Sequence, residues 1–491
     1  MKNADKRLIV VSNRLPIAIV EEEGRLAVKP GSGGLITALA PVLRDRGGIW
    51  IGWPGAPDSE QTRQLCHTYS REAGYRLCPV ALSPDDVDGF YYGFSNEILW
   101  PLFHDFPMVC HFDPIYWRAY QRVNDIYARE VAAQSNPEDF IWVHDYHLML
   151  VAQALKASGQ PRKTGFFLHI PFPPPDIFMK LPWRREIIQA LLEYNLIGFQ
   201  TNRDRNNFAD CMGRLLHARF QRRNRKVFHA LDLDERDVRI GTFPISIDYK
   251  DFSRLAQQAD IRDKVRRLRE AFDDRYLIFS ADRLDYTKGI PQRLNALREA
   301  LSTYPELRQR IAFVQIMVPS REEVPQYQTM KESVERMISE LNGAFSTPGW
   351  IPVHYVYRNM PREELVTYYS AADLAMVTPL RDGMNLVAKE YVACNVSRKG
   401  VLCLSEFSGA ACEFHRYALT VNPFDMTAMT AAIRQAIAMD PTESQQRMDP
   451  MRRIVSKYDI FWWVNSFLDS ALSRGLDAFP HRDLDMEAYF K

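Results

Sequence analysis

This chain of 491 residues contains no apolar run approaching the about 18–20 residues that a bilayer crossing requires, so a membrane-spanning helix is not expected. It also lacks charge of one sign. Lys and Arg number 62 against 61 Asp and Glu, a formal charge of +1, which excludes the broad basic field that recruits nucleic acid or an anionic membrane. Anion binding has to be local. Cysteine is sparse and scattered: Cys66, Cys78, Cys110, Cys211, Cys394, Cys403 and Cys412 are seven, an odd number with no Cys-x-x-Cys pair. That argues against a disulfide framework or a zinc site and points to a reducing cytoplasm. Neither GxGxxG nor GxxxxGK[ST] occurs, which removes an ordinary dinucleotide fingerprint and a P-loop. No DxDGT-type phosphatase motif is present either. The N-terminal apolar run, Leu8 to Val11, is too short for the core of a leader peptide and reads as a first buried strand.

What the chain does have is rhythm. Short runs rich in Val, Ile, Phe and Leu (RLIVVSN, GIWIGW, DFIWVHD, TGFFLHI) alternate with amphipathic stretches such as LITALAPVLRDR and LMLVAQALKAS. Alternation of this kind predicts βαβ units on a parallel sheet. The pattern restarts at RYLIFSADRL, followed by helix IPQRLNALREALSTYP, strand RIAFVQIMVPS and a long charged helix through MKESVERMISELNG. The expected architecture is therefore α/β, with two Rossmann-like, doubly wound domains facing a central cleft. Residues 1–249 form the first and 250–457 the second, with the joint near Gly241 to Asp248. The aromatic, amphipathic tail 458–491 reads as a packing helix that crosses back to the first domain.

In open α/β sheets ligands gather beyond the carboxyl ends of strands, so polar residues directly after apolar runs carry the functional argument. Arg14, after the first strand, either pairs with a carboxylate or binds an anion. Gly31 to Gly34 before LITALAP is either a turn or a backbone cradle at a helix start, where amides and the helix dipole favour phosphate. His144, Asp145 and His147 lack a third ligand at metal spacing, and a single carboxylate accepting sugar hydroxyls fits better. The Asp-x-Asp triplets Asp86/Asp88, Asp232/Asp234 and Asp483/Asp485 are expected at the surface. Arg283 and Lys288 form either a solvated turn or a pair of fixed cations for a departing diphosphate. The basic stretch His217 to Lys226 is expected to be a solvated connector. In PLRDGMNLVAKE a helix starts without a Ser or Thr cap. Its bare amides suit a diphosphate, and Glu390, one turn below Leu386, suits two vicinal hydroxyls.

Together these endings resemble the trehalose-6-phosphate synthase family, retaining GT-B glycosyltransferases of family 20. The carriers are VSNRLP, SGGL, WIGWPG, FYYGFSNEILWPLFH, WVHDYHL, GFFLHIPFPPPDIF, GFQTNRDRNNF, RLDYTKGIPQR, VPSREEVPQYQ and TPLRDGMNLVAKEYVA, in one order along nearly the whole chain. The resemblance implies an acceptor, glucose 6-phosphate, in the first domain and a donor, most often UDP-glucose, mainly in the second. Carried over by motif, Arg14, Tyr91 and Arg321 grip the acceptor phosphate, Trp53 lines its pocket, and Asp145 and Tyr146 stand near the sugar. Trp100 and His169 shape the region where the sugars meet. Gly33 and Gly34 approach the donor diphosphate, which Arg283 and Lys288 neutralise. Asp382, Gly383, Met384 and Asn385 receive the donor glucose, Leu386 and Val387 its phosphate, Glu390 the ribose, and Met360 the base.

The implied reaction retains configuration without a protein nucleophile, with the leaving phosphate as base, so no second carboxylate is required. No cofactor or metal is implied; the partners are the two small molecules, with homo-dimers or homo-tetramers common among relatives and a separate phosphatase completing the pathway. Two rival readings remain open on the sequence: a glucosylglycerol-phosphate synthase taking glycerol 3-phosphate and ADP-glucose, and a catalytically silent sugar-phosphate-binding regulator. The full set Arg14, Tyr91, Asp145 and Arg321 favours the larger acceptor, and intact Arg283, Lys288, Asp382 and Glu390 speak against silence.

Overall fold

The structure is a computed structural model in which residues 7–22, 25–31, 34–216, 219–224, 227–231, 238–320 and 325–472 are described. The chain divides into two compact units, one running to Ile245 and resuming at Phe461, the other Ser246–Ile460. Among the described residues no helix is long and apolar enough to cross a membrane.

The first unit is built on a nine-stranded sheet. Its parallel part comprises β1 (Leu8–Arg14), β4 (Ile49–Trp53), β5 (Arg76–Pro79), β6 (Phe140–His144), β7 (Lys163–Phe167), β8 (Leu196–Phe199) and β11 (Arg239–Thr242). The order is β5-β4-β1-β6-β7-β8-β11. Both faces are covered, which is why LIVV, IWIGW and FIWVH are buried without alternation. Outside this sheet, β2 (Ile17–Glu22) and β3 (Arg25–Pro30) form a separate antiparallel hairpin after β1.

Two expectations need correction here. The basic stretch before residue 227 is no connector: β9 (Arg219–Asn224) and β10 (Val227–Leu231) pair antiparallel and extend the sheet beyond β11. Charged residues on an edge strand discourage further pairing, so basic composition is compatible with strand. Asp86 is not at the surface either. It is 7% exposed, completes a capping box with Ser83 and accepts from Arg122 Nε at 2.7 Å. The triplets at 232–234 and 483–485 lie outside the described residues.

The second unit carries six parallel strands: β12 (Tyr276–Arg283), β13 (Ile311–Val318), β14 (Val353–Tyr357), β15 (Leu374–Val377), β16 (Val401–Ser405) and β17 (Leu419–Val421). Their order is β14-β13-β12-β15-β16-β17. In both units the first strand is flanked on one side by the second and on the other by the fourth. Chain direction across the sheet reverses there, and a crevice opens at the carboxyl ends. The exits of β1 and β6, and of β12 and β15, are therefore where ligand chemistry belongs.

Helix Ile460–Leu472 returns the chain to the first unit. Phe467 stacks on Trp142 at 4.3 Å between centroids, and Trp463 meets Phe167 edge-on at 5.0 Å. Trp463 is fully buried and its indole N–H donates to Phe243 O at 3.1 Å. Replacing it removes packing from the middle of the sheet and the hydrogen bond to Phe243 O. Trp463→Ala is expected to destabilise the first unit by about 3–5 kcal/mol, read as a fall in its denaturant midpoint; an unchanged midpoint would show that the helix contributes no stability.

Candidate functional site

In the first unit β1 delivers Arg14 and β4 delivers Trp53, tied by Leu15 N donating to Trp53 O at 3.0 Å. The Arg14 guanidinium lies 3.9 Å from the Trp53 ring centroid and 5.7 Å from that of Tyr91. Among the described residues it has no carboxylate partner, so the rings orient the charge without neutralising it. Gly55, at φ 88°, makes this possible: a Cβ there would run into Arg14 Nη1. Tyr91 stacks on His147, 5.9 Å between centroids and 11° from parallel. It belongs to a π-helix, Val87–Leu99, a form the motif FYYGFSNEILW does not announce. Wider than an α-helix, it buries Phe90, Phe94 and Ile98 on a strict four-residue step.

The exit of β6 is strained. Asp145 adopts φ 73° and ψ 167°, a region that costs a non-glycine residue about 1–3 kcal/mol. Its amide donates to Phe167 O at 2.8 Å and its Oδ1 accepts from His169 N at 3.2 Å. His169 Nε2 lies 3.1 Å from Nδ1 of His144, which is fully buried. Burial pushes His169 down to about 3 and holds His144 well below its ordinary value, so this pair is neutral at physiological pH. Tyr146 donates to Asn96 Oδ1 at 3.1 Å, and the buried Trp100 ring stands 5.9 Å from that of Tyr146. Arg14, Trp53, Tyr91, Trp100, Asp145, Tyr146 and His169 all fall in this unit. Gly34 opens helix Gly34–Arg46, while Gly33 and Arg321 lie outside the described residues.

In the second unit β12 ends at Arg283, whose side chain is exposed. A short turn, Tyr286–Lys288, follows, capped by Asp285 Oδ1, which accepts from Thr287 N at 2.9 Å and Thr287 Oγ1 at 2.8 Å. Lys288, 8% exposed, donates from Nζ to Asp382 Oδ2 at 2.6 Å. Two residues that the motifs assign to different parts of a donor thus form one ion pair. Asp382 belongs to the turn after β15, and this turn is fastened to the next: Asp382 N donates to Phe407 O at 3.2 Å and Ala410 N to Met384 O at 2.8 Å. The turns are so close that a Cβ on Gly409 would collide with Gly383 O.

Helix Leu386–Cys394 begins at Asn385, φ 70°, and receives no side-chain cap. Asn385 Nδ2 instead reaches back to Asp382 Oδ2 at 3.2 Å, leaving the first-turn amides of Leu386 and Val387 unused by a side chain. Glu390 accepts from Tyr369 OH at 2.8 Å; burial raises its carboxyl above the ordinary value. Met384 is buried, and Met360 half-buried ahead of helix Arg362–Ala371.

Two supports were given no role by the motifs. Arg293 is fully buried in helix Ile290–Thr303 and donates to Ser280 Oγ, to Asp282 Oδ2 at 2.7 Å, Gln315 Oε1 at 3.0 Å, Thr378 Oγ1 at 3.1 Å and Lys288 O at 3.1 Å. Its signal was an arginine on the apolar face shared with Ile290, Leu294 and Leu297. Lys389 and Glu413, 0% and 1% exposed, pair at 2.9 Å directly beside Glu390. Among the described residues no group of three or more His, Cys, Asp or Glu could hold a metal ion.

Chemically, the first unit offers an oriented cation and hydroxyl-binding groups, and the second a cation beside a carboxylate at a bare helix start. The trehalose-6-phosphate synthase of Mycobacterium sp. (strain JLS) is 42% identical over 473 residues, 95% of this chain and 96% of the relative. A solved structure from E. coli, bound with UDP-2-fluoro glucose, superposes with a TM-score of 0.85 at 35% identity, covering 95% of this chain and 99% of the other. An alpha,alpha-trehalose-phosphate synthase (UDP-forming) from Burkholderia xenovorans, in complex with glucose-6-phosphate, gives 0.85 at 33% identity, over 95% and 100%. The model of glycosyltransferase family 20 matches residues 6–473, from just before β1 to just past the last described helix, and with that extent of agreement the chain belongs to glycosyltransferase family 20.

Proposed function

We propose that this chain transfers glucose from UDP-glucose to glucose 6-phosphate with retention, giving α,α-trehalose 6-phosphate and UDP. The observation that carries the reading is the Lys288–Asp382 pair at the uncapped start of helix Leu386–Cys394. A nucleotide sugar presents a diphosphate joined to a polyhydroxylated ring, and this arrangement offers a cation and bare amides next to an acceptor of hydroxyls. The names and bound molecules of the relatives support the same substrates.

In this reading Arg14, Tyr91 and Arg321 bind the acceptor phosphate, and Trp53, Asp145 and Tyr146 the acceptor sugar. Asp382, Gly383, Met384 and Asn385 hold the donor glucose, with Trp100 and His169 where the sugars meet. Gly33, Gly34, Leu386 and Val387 approach the diphosphate, Glu390 the ribose and Met360 the base. The bond from glucose C1 to the phosphate oxygen breaks while the acceptor hydroxyl oxygen bonds to C1 on the same face. Its proton passes to the departing phosphate, so the diphosphate serves as both leaving group and base. Arg283 and Lys288 stabilise the charge that grows on it; each well-placed donor of this kind contributes about 2.7–4 kcal/mol in a closed site. Fixed cations doing this work make the reaction metal-independent. The seven cysteines, none of them in a disulfide, support a cytoplasmic setting, relatives suggest a homo-dimer or homo-tetramer, and removal of the product's phosphate falls to a separate enzyme.

Incubation with UDP-, ADP- or GDP-glucose against glucose 6-phosphate or glycerol 3-phosphate, following nucleotide release, is expected to give UDP release with glucose 6-phosphate. No release with any glucose 6-phosphate pairing overturns the reading. Arg283→Ala and Lys288→Ala are each expected to lower kcat by roughly 10²-fold; near-normal turnover in both would remove the leaving-group role. Activity should survive EDTA, and its loss would require a metal.

A further inference from the structure

We propose that one face of helix Pro114–Gln134 is the template of the acceptor site: Tyr120, Asn124 and Tyr127 act as positioning residues that hold the strand exits carrying Arg14, Trp53 and Tyr146 in register. The inference rests on the acceptor roles proposed above and adds residues to which no motif assigns a part.

The three residues are four and three apart and so form a single stripe on the helix. All are completely buried. Each is bonded at both ends of its polar group to backbone at or just past a strand end. Tyr127 OH donates to Asn13 O at 2.7 Å, the carbonyl immediately before Arg14, and accepts from Trp53 N at 3.1 Å. A single oxygen thereby ties the exits of β1 and β4. Tyr120 OH donates to Tyr146 O at 2.7 Å and accepts from Met149 N at 3.1 Å, closing the turn after the strained Asp145. Between them Asn124 Nδ2 donates to His147 O at 3.1 Å and Oδ1 accepts from Leu150 N at 3.1 Å.

The stripe also reaches the π-helix that bears Tyr91. The Tyr120 ring lies 4.4 Å from Phe94 and stacks on Phe90 at 5.8 Å. Burial raises both tyrosines above their ordinary value, so the hydroxyls keep the protons they donate. Strand exits leave backbone N–H and C=O groups without ladder partners, and hydroxyl and amide side chains can satisfy both kinds at once. A rigid helix that does so at three exits fixes the distances among side chains that would otherwise depend on separate loops.

Tyr→Phe substitution removes only the oxygen and keeps the ring packing. Tyr127→Phe and Tyr120→Phe are each expected to weaken glucose 6-phosphate binding about tenfold, measured by calorimetry with UDP present, while KM for UDP-glucose stays unchanged. Tyr276→Phe, which removes a hydroxyl donating to Ala436 O in the other unit, should leave that binding unchanged. If a phenylalanine variant does not fold, Asn124→Ser gives the same reading through the 147–150 turn. Variants that melt lower yet bind glucose 6-phosphate like the parent overturn the inference and leave the function standing. A parent that binds no glucose 6-phosphate overturns both.

Discussion

A guanidinium with no access to water holds the donor side of this protein in shape. Arg293 cannot shed its charge, and burying an uncompensated charge is prohibitive, so its guanidinium must find acceptors and a counter-charge. They find them on β12, on β13, on the residue directly after β15 and on the carbonyl of Lys288. Satisfying one side chain therefore fixes the mutual placement of the strands whose exits carry Arg283, Lys288 and Asp382. Removing it would strand Asp282 in the interior, where breaking such a pair costs about 3–5 kcal/mol. The Lys288–Asp382 contact follows from this constraint: one partner's backbone is bonded to Arg293, and the other sits four residues past Thr378.

The first unit solves the same problem with neutral groups. Tyr120, Asn124 and Tyr127 take backbone groups from beyond several strands, each group both donating and accepting. A neutral hydroxyl pays less desolvation than a guanidinium and leaves the local field unchanged. The difference matches the chemistry on each side. In the proposed acceptor site Arg14 supplies the cation, and a second buried cation beneath it would compete for the same anion. In the second unit the extra cation under Lys288 is paired with Asp282, so it adds little net charge to the proposed donor site.

Much of this was legible in the sequence. Apolar runs bounded by turn residues located the parallel strands, and a chain that starts each sheet in the middle puts polar residues at the switch point. Arg14 and Asp145 could be found that way because each stands at the end of such a run, and Lys288 and Asp382 because each lies in the polar loop that follows one. The rest is tertiary. Hydrophobic spacing cannot separate a π-helix from an α-helix over the stretch 87–99, and the basic strand β9 has no apolar period to read. Tyr120 and Tyr127 look like ordinary core aromatics until their hydroxyls are traced. Lys389 looks like a surface charge until burial is known, and Arg293, though it shares an apolar helix face, shows its acceptors only in three dimensions.

Backbone conformation gives a last line of reasoning about the two sites. Asp145 and Asn385 both hold positive φ, at 73° and 70°, each where the chain leaves a strand exit to begin a turn or helix. Glycine would adopt either conformation without strain. That a side chain stands there means the strain is outweighed by what the side chain does. Asp145 accepts the His169 amide, and Asn385 draws in the Asp382 carboxylate while leaving the helix amides uncapped. An ordinary capping residue at 385 would stabilise the helix and occupy those amides. The strained asparagine keeps the helix start available to an anion, and the buried pair of Lys389 and Glu413 holds the helix in place without a cap.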